Sequence, residues 1–188
     1  MFTKLAFLAI PGDCVHAAEI AGIRVEPGVR VGGVDLVLNG AGLRQRFMTD
    51  VYVIGLYIAR RTSSAESAID APGPKRIALT FLRDVTAQEL VDALYEGVRD
   101  STTETEFAKL KASADALSAI MLPLGVAKKG DTVALDYLPG AGAQVVMNGR
   151  AIGRPVPGRD LYRALLGIWL GNPPVDANLK GALLSGQT

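Results

Sequence analysis

The chain has 188 residues, 49% of them hydrophobic and 21% charged, with a formal net charge of +1. This is the composition of one folded domain of ordinary size, and it excludes a disordered chain. No basic block exceeds two residues (Arg60-Arg61, Lys128-Lys129), so no nucleic-acid face is expected. The most apolar stretch, LYRALLGIWL at 161–170, is too short for a transmembrane segment and carries Arg163.

At the N-terminus, Lys4, the apolar LAFLAI at 5–10 and the small residues around 15–18 have the order of a secretory leader, although Pro11-Gly12-Asp13 breaks the apolar run early. On this reading residues 1–18 are a signal peptide and 19–188 a single domain, periplasmic or secreted; uncleaved, the protein would be cytoplasmic. The only cysteine, Cys14, and the only histidine, His16, fall in that segment. One of each does not make a zinc site, and His16 is badly placed for a triad. No metal or cofactor is expected, so any chemistry falls to Arg, Lys, Tyr, carboxylates or hydroxyls.

Residues 22–38 read as short strands around a Gly32-Gly33 turn, and the apolar stretch 43–59 continues as strand. SSAESAID at 63–70 predicts a short serine-capped helix ended by Pro72-Gly73-Pro74, and RIALTFL at 76–82 a buried strand. Thr86 with Glu89, and Thr103 with Glu106, have the spacing of capping boxes that open two helices. The first carries Leu90, Leu94 and Val98 on one face, and the second Phe107, Leu110, Ala114, Leu117 and Met121. Strands at 131–138 and 143–149 follow, and Asn148-Gly149 predicts a tight hairpin into 150–154. A helix over about 159–170 shows Leu161, Leu165 and Ile168 on one side, and Asp176 caps a last short helix with Leu179 and Leu183. Strand runs and helix runs segregate, which points to α+β: six or seven strands in hairpin order with helices on one face.

Arg44 and Tyr52 are the residues with most to explain, because an unpaired charge facing an apolar interior is very expensive. In one straight strand they would be about 26 Å apart at ~3.3 Å per residue. A chain reversal around Arg46–Thr49 would instead make them cross-strand neighbours able to share one oxyanion, though no Gly, Pro or Asn marks the turn. The alternatives are an ion pair with a carboxylate such as Asp50, or exposure to solvent. Gly40-Ala41-Gly42 lacks the following helix and Lys-Ser/Thr of a phosphate loop and reads as a bulge or a close backbone approach. Trp169 and Tyr162 read as core aromatics.

NGAGLR followed by VYVIGLYIA resembles the chalcone isomerase-like family, and RDVTAQELVDALYEG, the MNG hairpin and GIWLGNPPVDANLKGALL fit in order. The resemblance covers about residues 24–184. It implies an open-faced β-sandwich, a curved antiparallel sheet with a helix layer on one face and a ligand cleft between them. In plant isomerases an arginine after Gly-Ala-Gly stabilises a phenolate, helped by a strand threonine and a helix tyrosine. Arg44 matches the arginine, Tyr52 stands near the threonine position, and Leu90 corresponds to the helix tyrosine. In the fatty-acid-binding branch an arginine and a strand tyrosine hold the carboxylate, which Arg44 and Tyr52 resemble more closely. The expectation is therefore a binder of a small apolar ligand with a carboxylate or phenolate head, held by Arg44 and Tyr52 with Leu90 against it. The alternatives are a cofactor-free isomerase in which Arg44 and Tyr52 are catalytic, and a non-catalytic envelope or partner-binding protein.

Overall fold

The computed structural model describes residues 18–185. Cys14, His16 and all of the expected leader except Ala18 lie outside the described residues.

Among the described residues, eleven strands and five α-helices follow one another. They are β1 (Ala18–Ile20), β2 (Ile23–Val25), β3 (Gly28–Val31), β4 (Val34–Arg46), β5 (Thr49–Ile58), α1 (Ala65–Asp70), β6 (Lys75–Phe81) and β7 (Val85–Thr86); then α2 (Ala87–Asp100), α3 (Glu104–Met121), β8 (Val126–Ala127), β9 (Thr132–Leu138), β10 (Gly142–Met147), β11 (Arg150–Val156), α4 (Arg159–Leu170) and α5 (Ala177–Leu184). Seven strands form one antiparallel sheet in the order β11-β10-β9-β6-β5-β4-β3, with two-stranded ribbons β1-β2 and β7-β8 beside it. The expected six to seven strands and the α+β open-faced sandwich are what the chain builds. Of the ribbon strands, β2 falls within the short strands expected over 22–38, whereas β1, β7 and β8 do not follow from the sequence, because two or three residues carry too little periodicity to be read.

Both capping boxes form: Thr86 and Thr103 accept from the backbone of Glu89 and Glu106, whose carboxylates reach back to the cap N–H groups. Asn148 and Gly149 both take positive φ in the expected hairpin. The helices pack on one sheet face, where Ile54, Leu56, Ile58, Leu79 and Phe81 meet Leu90, Leu94, Leu165 and Ile168. A second, smaller core on the opposite face joins Val25, Val31, Leu36, Leu38, Val53 and Tyr57.

α4 departs from its expected one-sided pattern. From Leu161 to Leu170 every residue except Arg163 is buried, because the sheet covers one side of α4 and α2 and α3 pack on others. Its apolar stripe is effectively its whole surface. The buried Tyr162 hydroxyl donates to the Leu135 carbonyl at 2.8 Å, tying helix to sheet.

β4 and β5 reverse through Phe47 and Met48, with Arg46 opposite Thr49. Both turn residues have positive φ, 49° and 63°, as a two-residue hairpin requires. Left-handed backbone costs an L-residue with a full side chain about 1–2 kcal/mol. Phe47→Asn/Met48→Gly, the pair such turns prefer, is therefore expected to raise the thermal midpoint by several degrees in a melting experiment. An unchanged or lower midpoint would show the turn to be relaxed as it stands.

Lys75 is 1% exposed, with its ammonium 5.0 Å from the centre of the Tyr137 ring. Burial, reinforced by Arg159, pulls its pKa down to about 8. Between pH ~8 and the usual lysine value of ~10.4 the unfolded chain holds this proton more than the folded one, so stability should rise with pH across that window. Lys75→Met should flatten the rise in denaturant midpoint between pH 7.5 and 9.5; identical rises in both proteins would assign it to another group.

Candidate functional site

A single bulge decides where Arg44 points. The β4–β5 register shifts between Leu38 and Gly40, so Asn39 is the extra residue. Before it, Leu36 and Leu38 face the small outer core; after it, Ala41 and Leu43 do. One inserted residue moves every later side chain to the other face. Gly40, Gly42 and Arg44 thus turn toward the helix layer, although they share the parity of Leu36 and Leu38.

Asn39 is fully buried. Its amide donates to the carbonyls of Thr62 at 3.0 Å and Leu183 at 2.7 Å, and its side-chain oxygen accepts from Thr62 N–H at 2.7 Å. The glycines beside it let α5 settle on the sheet. A Cβ on Gly40 would lie 2.2 Å from the Ala182 carbonyl oxygen, and one on Gly42 would lie 2.6 Å from Leu179. The Gly-Ala-Gly segment is thus a place of close backbone approach beside a bulge, as its sequence suggests.

With the reversal made, Arg44 and Tyr52 are directly opposed cross-strand partners. The Arg44 Nη1 donates to the Gln45 carbonyl at 2.8 Å and to Asp176 Oδ2 at 3.2 Å, both side chains of the ion pair being about a fifth to a quarter exposed. Asp50, the carboxylate considered from sequence, instead accepts from Gln45 at 2.7 Å. Asp176 also caps α5 through Oδ1, which accepts from Leu179 N–H at 3.0 Å. One carboxylate thereby serves both the helix end and the arginine.

Tyr52 is held from the other side. The Trp169 indole Nε1 donates to its hydroxyl oxygen at 3.0 Å, and its ring meets Phe81 edge-on at a centroid distance of 6.2 Å. Burial raises the Tyr52 pKa above the ordinary phenol value, against smaller opposing pulls from Trp169 and Arg44. The hydroxyl therefore stays protonated near neutral pH. With its oxygen already accepting, it has a hydrogen left to give.

Both side chains border a cavity of about 620 Å³, whose lining includes Leu79, Phe81, Leu90, Leu94, Ile168 and Trp169. That volume lies in the range of small-molecule sites, and the mixture of an apolar wall with a few convergent donors is the usual one. Leu90 lies on the buried face of α2 and forms part of this wall. Pro173, Pro174 and Val175 line it too, with Arg46, Arg83 and several acidic residues of α2, among them Glu89 and Asp92. A smaller depression of about 200 Å³ lies among Gly55, Ala78 and Ala134 and includes neither Arg44 nor Tyr52.

All three site residues expected from sequence, Arg44, Tyr52 and Leu90, therefore meet at one cavity. Sequence reasoning missed two others. Asp176 was legible as a helix cap but not as the arginine's partner, and Trp169 as core but not as the donor that orients Tyr52. The only sequence signal for either was their shared presence in GIWLGNPPVDANL.

A fatty-acid binding protein of Arabidopsis thaliana shares the fold, with a TM-score of 0.73 at 17% identity over 91% of this chain and 97% of that one. A search of curated proteins finds no match. The chalcone isomerase-like family model matches residues 17–185. With all of the described residues inside that match, the protein belongs to the chalcone isomerase-like family.

Proposed function

We propose that this protein binds a small, mostly apolar ligand with an oxyanion head, of the long-chain fatty acid type. The head lies at Arg44 and Tyr52, and the tail runs between sheet and helices past Leu90, Leu94 and Ile168. The observation that carries this reading is the state of Tyr52: protonated, its oxygen already accepting from Trp169, and placed beside a guanidinium at an apolar cavity. The guanidinium and the hydroxyl hydrogen both have bonds to donate, so the complementary group is an acceptor, best an anion. Asp176 satisfies part of Arg44, which spares the arginine the penalty of an unpaired charge. The fold shared with a fatty-acid binding protein supports the same direction.

Binding is favoured over ring closure because Leu90 stands where the resemblance to plant isomerases would place a tyrosine, and it has no proton to give. Trp169 is the only tryptophan of the chain and lines the cavity, so its fluorescence reads occupancy directly. Delipidated protein titrated with palmitate and with hexadecanol should bind the acid at least tenfold more tightly. Equal affinities would remove the head-group reading, and loss of chalcone absorbance above the spontaneous rate would restore the isomerase.

A further inference from the structure

Arg44 meets a ligand with part of its charge already answered. Both hydrogens of Nη1 have acceptors, the Gln45 carbonyl at 2.8 Å and Asp176 Oδ2 at 3.2 Å, which leaves a ligand the Nε–Nη2 side of the guanidinium. Asp176 is held in place by more than the arginine, since its Oδ1 accepts from Leu179 N–H at 3.0 Å as the cap of α5. Its charge reaches the other half of the site as well. Beside the larger effect of burial, it pushes the Tyr52 pKa up where Arg44 pulls it down.

The rest of the lining offers an anion no surplus of positive charge. Arg44, Arg46 and Arg83 share the cavity wall with the carboxylates of Glu89, Asp92, Glu96 and Asp100, and Asp176 behind Arg44 adds a fifth. Arg83 is paired with Glu89, whereas Asp92 accepts from the Gln88 amide, and Glu96 and Asp100 form no ion pair among the described residues. Those three lie on the exposed edge of α2, where water and salt screen them. Asp176 is three-quarters buried and touches the guanidinium, so a head group at Arg44 feels it most.

We propose that Asp176 sets the head-group charge this site accepts, admitting one negative charge at Arg44 and turning away two. A singly charged carboxylate can take the free side of the guanidinium and the Tyr52 hydroxyl, and with Asp176 it leaves the group one charge negative. A dianionic phosphate monoester adds a second unmatched charge in a partly dry cavity, where like charges a few ångström apart repel strongly. The assignment rests on the ligand reading above and narrows it to alkyl carboxylates over alkyl phosphates. It also makes Asp176 a brake on the affinity that Arg44 and Tyr52 would otherwise give.

The test titrates wild type, Asp176→Asn and Asp176→Ser with dodecanoate, dodecyl phosphate and dodecanol, chains short enough to stay monomeric. It is run at pH ~8, where an alkyl phosphate with a second pKa of about 6 is a dianion. Asparagine and serine cap a helix as well as aspartate does, so α5 keeps its N-terminus in both variants. Wild type should bind dodecanoate at least tenfold more tightly than dodecyl phosphate. Removing the charge should tighten binding by about tenfold per unit of head-group charge and leave dodecanol within about twofold. A gain ranked by ligand charge is a readout that a merely structural cap would not produce.

Wild type that takes the phosphate as readily as the acid overturns the proposal, and that comparison needs no variant. Variants that bind the acid no better than wild type, or that lose all three ligands alike, overturn it and leave the ligand reading in place. Acid and alcohol bound equally by wild type, with phosphate weaker still and the acid preferred only once the charge is removed, would uphold the role of Asp176 and overturn the ligand reading alone.

Discussion

Asn39→Leu should lower the unfolding free energy by about 3–5 kcal/mol, the largest stability effect expected from one substitution near the site. The side chain is fully buried and makes three hydrogen bonds to main-chain groups of Thr62 and Leu183. Leucine has similar bulk but leaves those groups unsatisfied, at about 1–3 kcal/mol each before relaxation. In a protein of this size that corresponds to a fall in melting temperature of roughly 10 °C or more. Urea titration of wild type and variant measures it, and a loss below about 1 kcal/mol would mean that the bonds are replaced by water. The effect also reaches function: Asn39 marks the bulge that phases Arg44 inward and pins the C-terminal end of α5, whose N-terminal cap is Asp176. Palmitate binding should weaken in the folded fraction of the variant as well.

Arg44→Ala should weaken palmitate binding about 10- to 100-fold while leaving hexadecanol nearly unchanged. Hydrogen bonds to a charged group contribute about 1.5–3 kcal/mol, and about 1.4 kcal/mol is tenfold in affinity. The variant also leaves Asp176 facing the head-group position without its counter-charge, adding repulsion to the lost attraction. Asp176 still caps α5 through its other oxygen, so the fold should survive. Tyr52→Phe removes one neutral donor and should cost less, within about tenfold. Calorimetric titration distinguishes the cases; palmitate affinity within twofold of wild type in Arg44→Ala would place the head group elsewhere.

What was legible in the sequence was local. The Thr86–Glu89 and Thr103–Glu106 boxes, the Asn148-Gly149 hairpin and the apolar stripe of α2 each complete their physics within a few residues, and each forms as read. The face of α4 was not legible, because its stripe stated only the minimum to be buried; the sheet and the neighbouring helices together bury more. The β4–β5 reversal was only a condition in the sequence. Phe47-Met48 lacks turn chemistry, and the reversal is imposed by the pairing of the two strands and by β6 beyond them.

The site divides along the same line. The residue types were determined by the sequence alone: an arginine and a tyrosine in an apolar segment, no cysteine or histidine in the described residues, and a leucine on the helix facing them. Their convergence was decided by tertiary structure. Asp176 stands 132 residues from Arg44 and Trp169 117 from Tyr52, separations over which no local pattern carries a contact. Even the direction of Arg44 depends on one bulge whose cause, the burial of Asn39 between Thr62 and Leu183, lies in distant parts of the chain. Propensity and patterning act within a turn or a strand; the placing of a charge beside its partner and a cavity waits for the packing of whole layers.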